Sequence, residues 1–149
     1  MSKRRVLIPL DGSDFSRQIL RVVKNFFEPD DVEMILFRAA YPPVLPSEAA
    51  PADMFLGGMP LSGTYEAYNR AMDATYAALD KEREQYRTQL LTEVQPELGR
   101  LHEAGYEARA QVDYGEPAQC IIDYVNDAGV DLVAMATHGR GGLGRLVLG

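Results

Sequence analysis

Residues 134–149 combine five glycines with two arginines and a histidine, a set of groups that can hold an anion. They follow the short run 130–133, which we interpret as a buried strand. A glycine-rich loop after a parallel strand lets backbone N–H groups point at an anion with no Cβ in the way. A helix that begins after such a loop would add a favourable dipole for phosphate. The stretch therefore indicates the binding of a phosphate group.

His138 is the side chain in this stretch best suited to catalysis, and two interpretations of it stay open. It could donate a hydrogen bond to a phosphate, or it could be a loop residue bonded to the backbone. No second histidine, cysteine or paired carboxylate lies at metal-ligand spacing around it, so we predict no metal site. Arg140 and Arg145 are either phosphate partners or solvated side chains. Neither a Ser-His-Asp pattern nor a P-loop occurs in the sequence, and we predict no catalytic residue.

The composition is typical of one acidic globular domain. The chain has 149 residues, and 15 basic against 22 acidic side chains give a formal net charge of −7. That charge argues against a general nucleic-acid surface. The single cysteine, Cys120, cannot form an internal disulfide, and its apolar neighbours favour a buried structural thiol. Because we find neither a signal peptide nor a membrane span, we predict a cytoplasmic protein that binds neither nucleic acid nor membrane.

Strands and helices alternate along the sequence in the order β-α-β-α-β-α-β. The predicted strands are 6–10, 32–40, 106–113 and 130–136. This order predicts a doubly wound parallel sheet with helices on both faces and right-handed crossovers. The third strand alternates in polarity and is expected near a sheet edge. Ligands of such sheets bind at the carboxyl ends of strands, so the loops at Asp11 and after Thr137 share one crevice if the first and last strands are neighbours.

Three helices are predicted between these strands from the spacing of apolar side chains. Ser13 or Asp14 caps the first helix, and the second spans residues 64–104, with Pro96 kinking or dividing it. Gly105 is its natural C-cap, and the third helix begins at 115–117 and ends at Gly129. The side chains predicted to face the core are Phe15, Ile19, Val22, Val23 and Phe26 in the first helix, Tyr65, Tyr68, Met72, Tyr76, Leu79, Tyr86, Leu90 and Val94 in the second, and Ala118, Ile121, Ile122 and Val125 in the third.

Residues 41–63 break the alternation with five of the nine prolines and three glycines. A connection of that length inside a compact domain is usually a functional lid or a mobile segment. Its apolar residues, among them Met54 and Phe55, equally suit packing on a neighbouring element, and both interpretations stay open. We predict a single domain over residues 1–149 that contains this loop.

The chain resembles the universal stress protein family over its whole length. The resemblance is carried by residues 6–13, Val-Leu-Ile-Pro-Leu-Asp-Gly-Ser, and 137–143, Thr-His-Gly-Arg-Gly-Gly-Leu. ATP-binding members carry a motif of Gly, two residues, Gly, nine residues, Gly, and then Ser or Thr. Gly139 and Gly149 match its second and third glycines, while Ala136 replaces the first and the closing Ser or Thr would be residue 150. Because alanine adds little bulk, we expect this replacement to weaken binding rather than abolish it.

The resemblance implies a fold, an assembly and a set of nucleotide contacts. The family fold is a doubly wound, three-layer α/β sandwich of five parallel strands, similar to the adenine-nucleotide α-hydrolases, and its last helix and strand are expected to be missing here. A homodimer through the last strand is implied when the full C-terminus is present. Asp11 is expected to accept hydrogen bonds from ribose hydroxyls or the adenine amino group, or else only to form an Asx turn. The implied nucleotide-binding residues are Pro9, Leu10, Asp11, Ala39, Ala40, Met135, Ala136, His138, Gly139, Arg140 and Gly149.

Three functions are compatible with these features. The favoured one is a stress-response module that binds ATP or AMP, with or without Mg²⁺, and acts in regulation or signalling. The second is a slow ATPase, for which the sequence offers His138 and little else to orient water. The third is a nucleotide-free interaction module of the same fold, which Ala136 and the lack of residue 150 favour. Whether the chain is an enzyme stays open, with a non-enzymatic role favoured.

Overall fold

The computed structural model describes residues 3–44, 55–56, 59–60 and 65–137. It divides into two compact units, one formed by Met1–Ala40 with Leu91–Gly149 and the other by Tyr41–Leu90. That residues 1–149 form a single domain stays a prediction. The helices and strands in chain order are β1 (Arg4–Pro9), α1 (Asp14–Arg17), α2 (Ile19–Phe26), β2 (Val32–Ala40), β3 (Phe55–Leu56), β4 (Met59–Pro60), α3 (Tyr65–Glu103), β5 (Glu107–Tyr114), α4 (Pro117–Ala128) and β6 (Leu132–Val133).

The larger unit contains a four-stranded parallel sheet in the order β5-β2-β1-β6. Leu7 of β1 pairs with Ile35 of β2 on one side and with Val133 of β6 on the other. β5 lies at the edge, as its alternation predicted, and β1 and β6 are neighbours. Within the described residues β6 has only two residues, so the prediction of a strand over 130–136 was too long.

Helices cover both faces of this sheet, which confirms the doubly wound α/β architecture. On one face, Leu20 and Val23 of α2 and Leu98 and Leu101 of α3 join the core that includes Ile8. On the other face, the buried core is formed by Leu7, Ile35, Phe37 and Cys120, with further side chains of α4 packed against it. Val6, Leu7 and Ile8 of β1 are fully buried because the central strand has a helix layer on each side.

The helix ends follow local sequence signals, as predicted. The Ser13 hydroxyl accepts a hydrogen bond from the Ser16 N–H (3.1 Å) and caps α1. Gly105, at φ +86°, terminates α3 in a Schellman motif, in which its N–H donates to the His102 carbonyl and the Tyr106 N–H donates to the Leu101 carbonyl.

Each of the three predicted helix faces was partly wrong. Val22 and Phe26 of α2 are exposed, and Phe26 has an exposed fraction of 77%. The first helix is interrupted at Gln18, where bonds from the Gln18 N–H to Phe15 and from the Arg21 N–H to Gln18 each span three residues. This tighter turn advances the face, so that Leu20 enters the core beside Val23, which packs there as predicted.

In α4 the buried face is turned toward Cys120, which leaves Ala118 and Ile122 exposed, while Ile121 and Val125 pack as predicted. Pro117, Cys120, Ile121, Tyr124 and Val125 also follow three- and four-residue spacing, so periodicity alone did not separate the two faces.

Helix α3 is continuous through Pro96, so of the two predicted effects, a kink or a division of the helix, the division was wrong. Pro96 lies on the exposed side of α3. Tyr65 and Tyr76 are exposed rather than core-facing. A helix long and apolar enough to cross a membrane is not found in the described part of the chain.

Residues 41–63 contain a short antiparallel pairing of β3 with β4, in which Phe55 lies opposite Pro60. The two interpretations of this loop, a lid or a segment packed on a neighbouring element, concern residues 45–54, 57–58 and 61–63, which lie outside the described residues.

Candidate functional site

A recess of about 200 Å³ opens at the carboxyl end of β1. The chain runs from β1 to β2 and β5 on one side and returns to β6 on the other, so β1 and β6 flank the point where the strand order reverses. The volume is smaller than the roughly 300–1,000 Å³ of typical ligand pockets, and it suits one ring system rather than a whole nucleotide. The lining residues are Pro9, Leu10, Asp11, Ser16, Phe37, Ala39, Pro117, Ile121, Met135 and Ala136.

The recess brings together most of the predicted binding residues that the structure describes. Six of them line it: Pro9, Leu10, Asp11, Ala39, Met135 and Ala136. Ala40 is not among the lining residues, because consecutive residues of a strand point to opposite faces. The predicted residues His138, Gly139, Arg140 and Gly149 lie outside the described part of the chain.

Four lining residues were not predicted. Phe37 stands two residues before Ala39 on β2 and therefore shares its face, a period-two signal that was available in the sequence. Ser16 follows the cap of α1. Pro117 and Ile121 come from the first turns of α4, and only the observed sheet order places this helix over the recess.

Among the described lining residues, Asp11 is the one carboxylate, and the loop after β1 holds it in a defined position. Its Oδ1 accepts hydrogen bonds from the Ser13 N–H (2.8 Å) and from the Ser13 hydroxyl. These bonds lower the pKa of Asp11 from 3.8 to about 2, against a smaller opposing effect of burial. The Asx turn is therefore present, and Asp11 is an ionised hydrogen-bond acceptor at neutral pH. Its contact with a ligand stays a prediction.

Other reactive side chains lie away from the recess lining. Cys120 is buried against the sheet, and burial raises the pKa of its thiol. His102 is exposed, and its Nε2 lies 2.8 Å from the carbonyl oxygen of Ala108 near the amino end of β5. Within the described ranges, no group of three or more His, Cys, Asp and Glu side chains is arranged to hold a metal ion.

A family model described as the universal stress protein family matches residues 3–149. The chain belongs to the universal stress protein family. A search of curated protein sequences found no match.

The chain is also similar to several solved structures. The universal stress protein UspA from Lactobacillus plantarum superposes with a TM-score of 0.56 at 14% identity, covering 100% of this chain and 88% of that one. Hypothetical protein MJ0577 gives a TM-score of 0.50 at 17% identity, over 89% of this chain and 73% of that one. A universal stress protein family protein from Arabidopsis thaliana, with AMP bound, gives a TM-score of 0.43 at 15% identity, over 95% and 81%. At such identities the similarity to the first two structures shows the fold alone.

Proposed function

We propose that this universal stress protein family member binds an adenine nucleotide, ATP or AMP, and acts as a regulatory or signalling module in the stress response. The observation that carries the proposal is an apolar recess at the reversal point of a doubly wound sheet, with one ionised carboxylate at its rim. This is where sheets of this architecture bind their ligands.

The chemistry of the recess suits a purine nucleoside. Phe37, Ala39, Ile121 and Met135 supply apolar walls for the faces of a flat ring. The carboxylate of Asp11 is an acceptor for ribose hydroxyls or for the exocyclic amino group of adenine, and a hydrogen bond to an ionised acceptor is stronger than a neutral one.

The sequence supports a phosphate site next to this recess. The glycine-rich segment begins at Gly139, three residues beyond Ala136, which lines the recess. We propose that backbone N–H groups of this segment and Arg140 bind the phosphates, with Mg²⁺ as a companion of the phosphates when it is present. We also propose a cytoplasmic location and, as the resemblance implies, a homodimer formed through the last strand of the family fold.

The alternative of a slow ATPase has no support from the described recess residues. Asp11 is the only titratable group that the structure describes in the lining, and a carboxylate with a pKa of about 2 is a weak general base.

Nucleotide-dependent stabilisation tests the proposal. We expect ATP or AMP to raise the melting temperature, by an amount that corresponds to about 2.7 kcal/mol when the ligand is at 100 times its Kd. Asp11→Asn keeps an acceptor for the Ser13 turn but removes the charge, so it should weaken binding by about tenfold. The matched control is Asp14→Asn, which changes an exposed carboxylate of α1 and should leave the affinity unchanged.

The ligand series separates the competing functions. GTP at the same concentrations should give a smaller shift than ATP, because the proposal rests on recognition of adenine. No shift with any nucleotide would overturn nucleotide binding and favour the interaction module. ATP turnover that survives repurification and is abolished by His138→Ala would favour the ATPase.

A further inference from the structure

We propose that Arg38 is a positioning residue of the recess, whose guanidinium holds the peptide bond between Leu10 and Asp11 and so fixes the place of the Asp11 carboxylate. Arg38 lies near the carboxyl end of β2 and is itself not a lining residue. The effect of Arg38 on nucleotide affinity rests on the proposed function, whereas its effect on the position of the loop does not.

The guanidinium joins the loop after β1 to helix α3. Arg38 is 9% exposed, and its Nη1 donates to the carbonyl oxygen of Leu10 at 3.2 Å. Its Nη2 donates to Oε2 of Glu93 at 2.9 Å, forming an ion pair. Two nitrogens of one rigid fork thus bridge a loop carbonyl and a helix carboxylate, a geometry that the single ammonium of lysine does not reproduce.

The same peptide bond is also held from its other side. The N–H of Asp11 donates to the hydroxyl oxygen of Ser16 at 3.4 Å, and that hydroxyl donates to the carbonyl of Ser13 at 2.9 Å. Arg38 on the carbonyl side and Ser16 on the N–H side therefore restrict the orientation of the peptide that leads into Asp11.

The next residue, Gly12, lies directly against the guanidinium. Its φ is +89°, and a Cβ added there would lie 2.9 Å from Nη1 and 3.2 Å from Nη2 of Arg38. Only glycine combines this backbone conformation with so close an approach. The loop that carries Asp11 is therefore fitted to the surface of the Arg38 side chain.

Arg38 is poorly suited to a role in stability alone. Among the described residues, its Nε is buried without a hydrogen-bond partner. A buried cation with an unsatisfied donor costs free energy that an apolar side chain of similar volume would avoid. We therefore expect Arg38→Met to fold and to retain much of its stability while the loop loses its fixed position.

The first test needs no ligand. Arg38→Met, Arg38→Lys and the control Arg109→Met are compared by NMR, since Arg109 also pairs with a glutamate, Glu33 (2.9 Å), but toward the amino end of the sheet. Both Arg38 variants should speed amide exchange at Asp11 and Ser13 and raise the pKa of Asp11. Because lysine retains the charge, a rise in Arg38→Lys reports a displaced loop rather than a lost electrostatic interaction. The control should change none of these quantities.

The second test measures ATP affinity in a double-mutant cycle with Asp11→Ala. If Arg38 acts through Asp11, Arg38→Met should raise the Kd for ATP by about tenfold when Asp11 is present and by much less when it is alanine. Equal effects in the two backgrounds would overturn the coupling.

The two tests separate failure of the inference from failure of the proposed function. Unchanged exchange and an unchanged Asp11 pKa in folded Arg38→Met would overturn the positioning role, whatever happens to ATP affinity. If the wild-type chain binds no nucleotide, the proposed function fails, and the ligand-free measurements still decide the role of Arg38.

Discussion

At the scale of single residues, the loop after β1 is defined by short-range hydrogen bonds. Ser13 donates two hydrogen bonds to Asp11 and caps α1 with the same hydroxyl. The carboxylate is thereby held ionised beside an apolar recess, the combination on which the proposed recognition of a nucleoside depends.

The lowered pKa of Asp11 predicts an acid-dependent loss of stability. The pKa is about 2 in the folded state against an ordinary value of 3.8. Because the folded-state pKa is the lower one, the stabilisation is fully present above the ordinary value and is lost as the pH falls toward about 2. We expect Ser13→Ala to raise the pKa of Asp11 in a carboxyl NMR titration and to reduce the pH dependence of unfolding in this window. The same pKa in wild type and variant would contradict the assignment to Ser13.

Two glycines should respond to alanine in opposite directions. Gly12→Ala meets both a positive φ and the Arg38 guanidinium, and should lower the free energy of unfolding by about 1–2 kcal/mol or more. Gly99 lies within α3, and apart from the backbone of its own helix turns no described atom lies within 4 Å of an added Cβ, so Gly99→Ala should raise the free energy of unfolding by about 0.5–1 kcal/mol. Urea denaturation measures both, and a stabilising Gly12→Ala would show that the loop adapts without strain.

At the scale of elements, the two prolines in helices occupy contrasting positions. Pro117 is at the first turn of α4, where its missing N–H would be unpaired in any case, and the Glu116 side chain accepts from the Gln119 N–H at 2.8 Å. Pro96 lies inside α3 and removes one bond of the helical ladder.

Replacing these prolines by alanine should therefore have unequal effects. Pro96→Ala should raise the free energy of unfolding by about 1–3 kcal/mol, because it restores an N–H donor and removes the clash of the ring with the preceding turn. Pro117→Ala should change it by no more than about 0.5–1 kcal/mol. Denaturant melts of the two variants provide the measurement, and equal changes would mean that α3 has fully accommodated Pro96.

At the scale of the larger unit, stability is concentrated in its two central strands. β1 and β2 each pair with strands on both sides, and Val6, Ile8, Met34 and Leu36 have no exposed surface. β5 lies at the edge of the sheet and contributes one fully buried side chain, Val112.

Hydrogen exchange should reveal this difference in stability between the central strands and β5. Hydrogen-bonded amides of β1 and β2 should exchange only through global unfolding. Those of β5 should exchange faster, because local unfolding of the sheet edge needs less free energy. Native-state exchange at increasing denaturant distinguishes the two classes. Equal opening free energies in β1 and β5 would show that the whole sheet unfolds as one cooperative unit.

Several features of this protein were determined by the sequence itself, because the interactions behind them are local. The alternation of strands and helices, the Ser13 cap, the Gly105 and Gly129 helix ends and the position of Asp11 directly after β1 each follow from a few neighbouring residues. The two stretches that suggested the family, residues 6–13 and 137–143, are each short and continuous, and the family model that matches residues 3–149 confirms the resemblance.

Only the tertiary structure decided which distant residues meet. The order β5-β2-β1-β6 places Pro117 and Ile121 of α4 over the end of β1, a relation that the spacing along the chain does not contain. Periodicity also left the exact helix faces open, so that Phe26 and Ile122 proved exposed. Arg38 is the clearest case, because an arginine in an apolar strand gives no local sign that its guanidinium is buried beneath the loop of Asp11. Such contacts depend on the packing of whole elements, which is a long-range property of the chain.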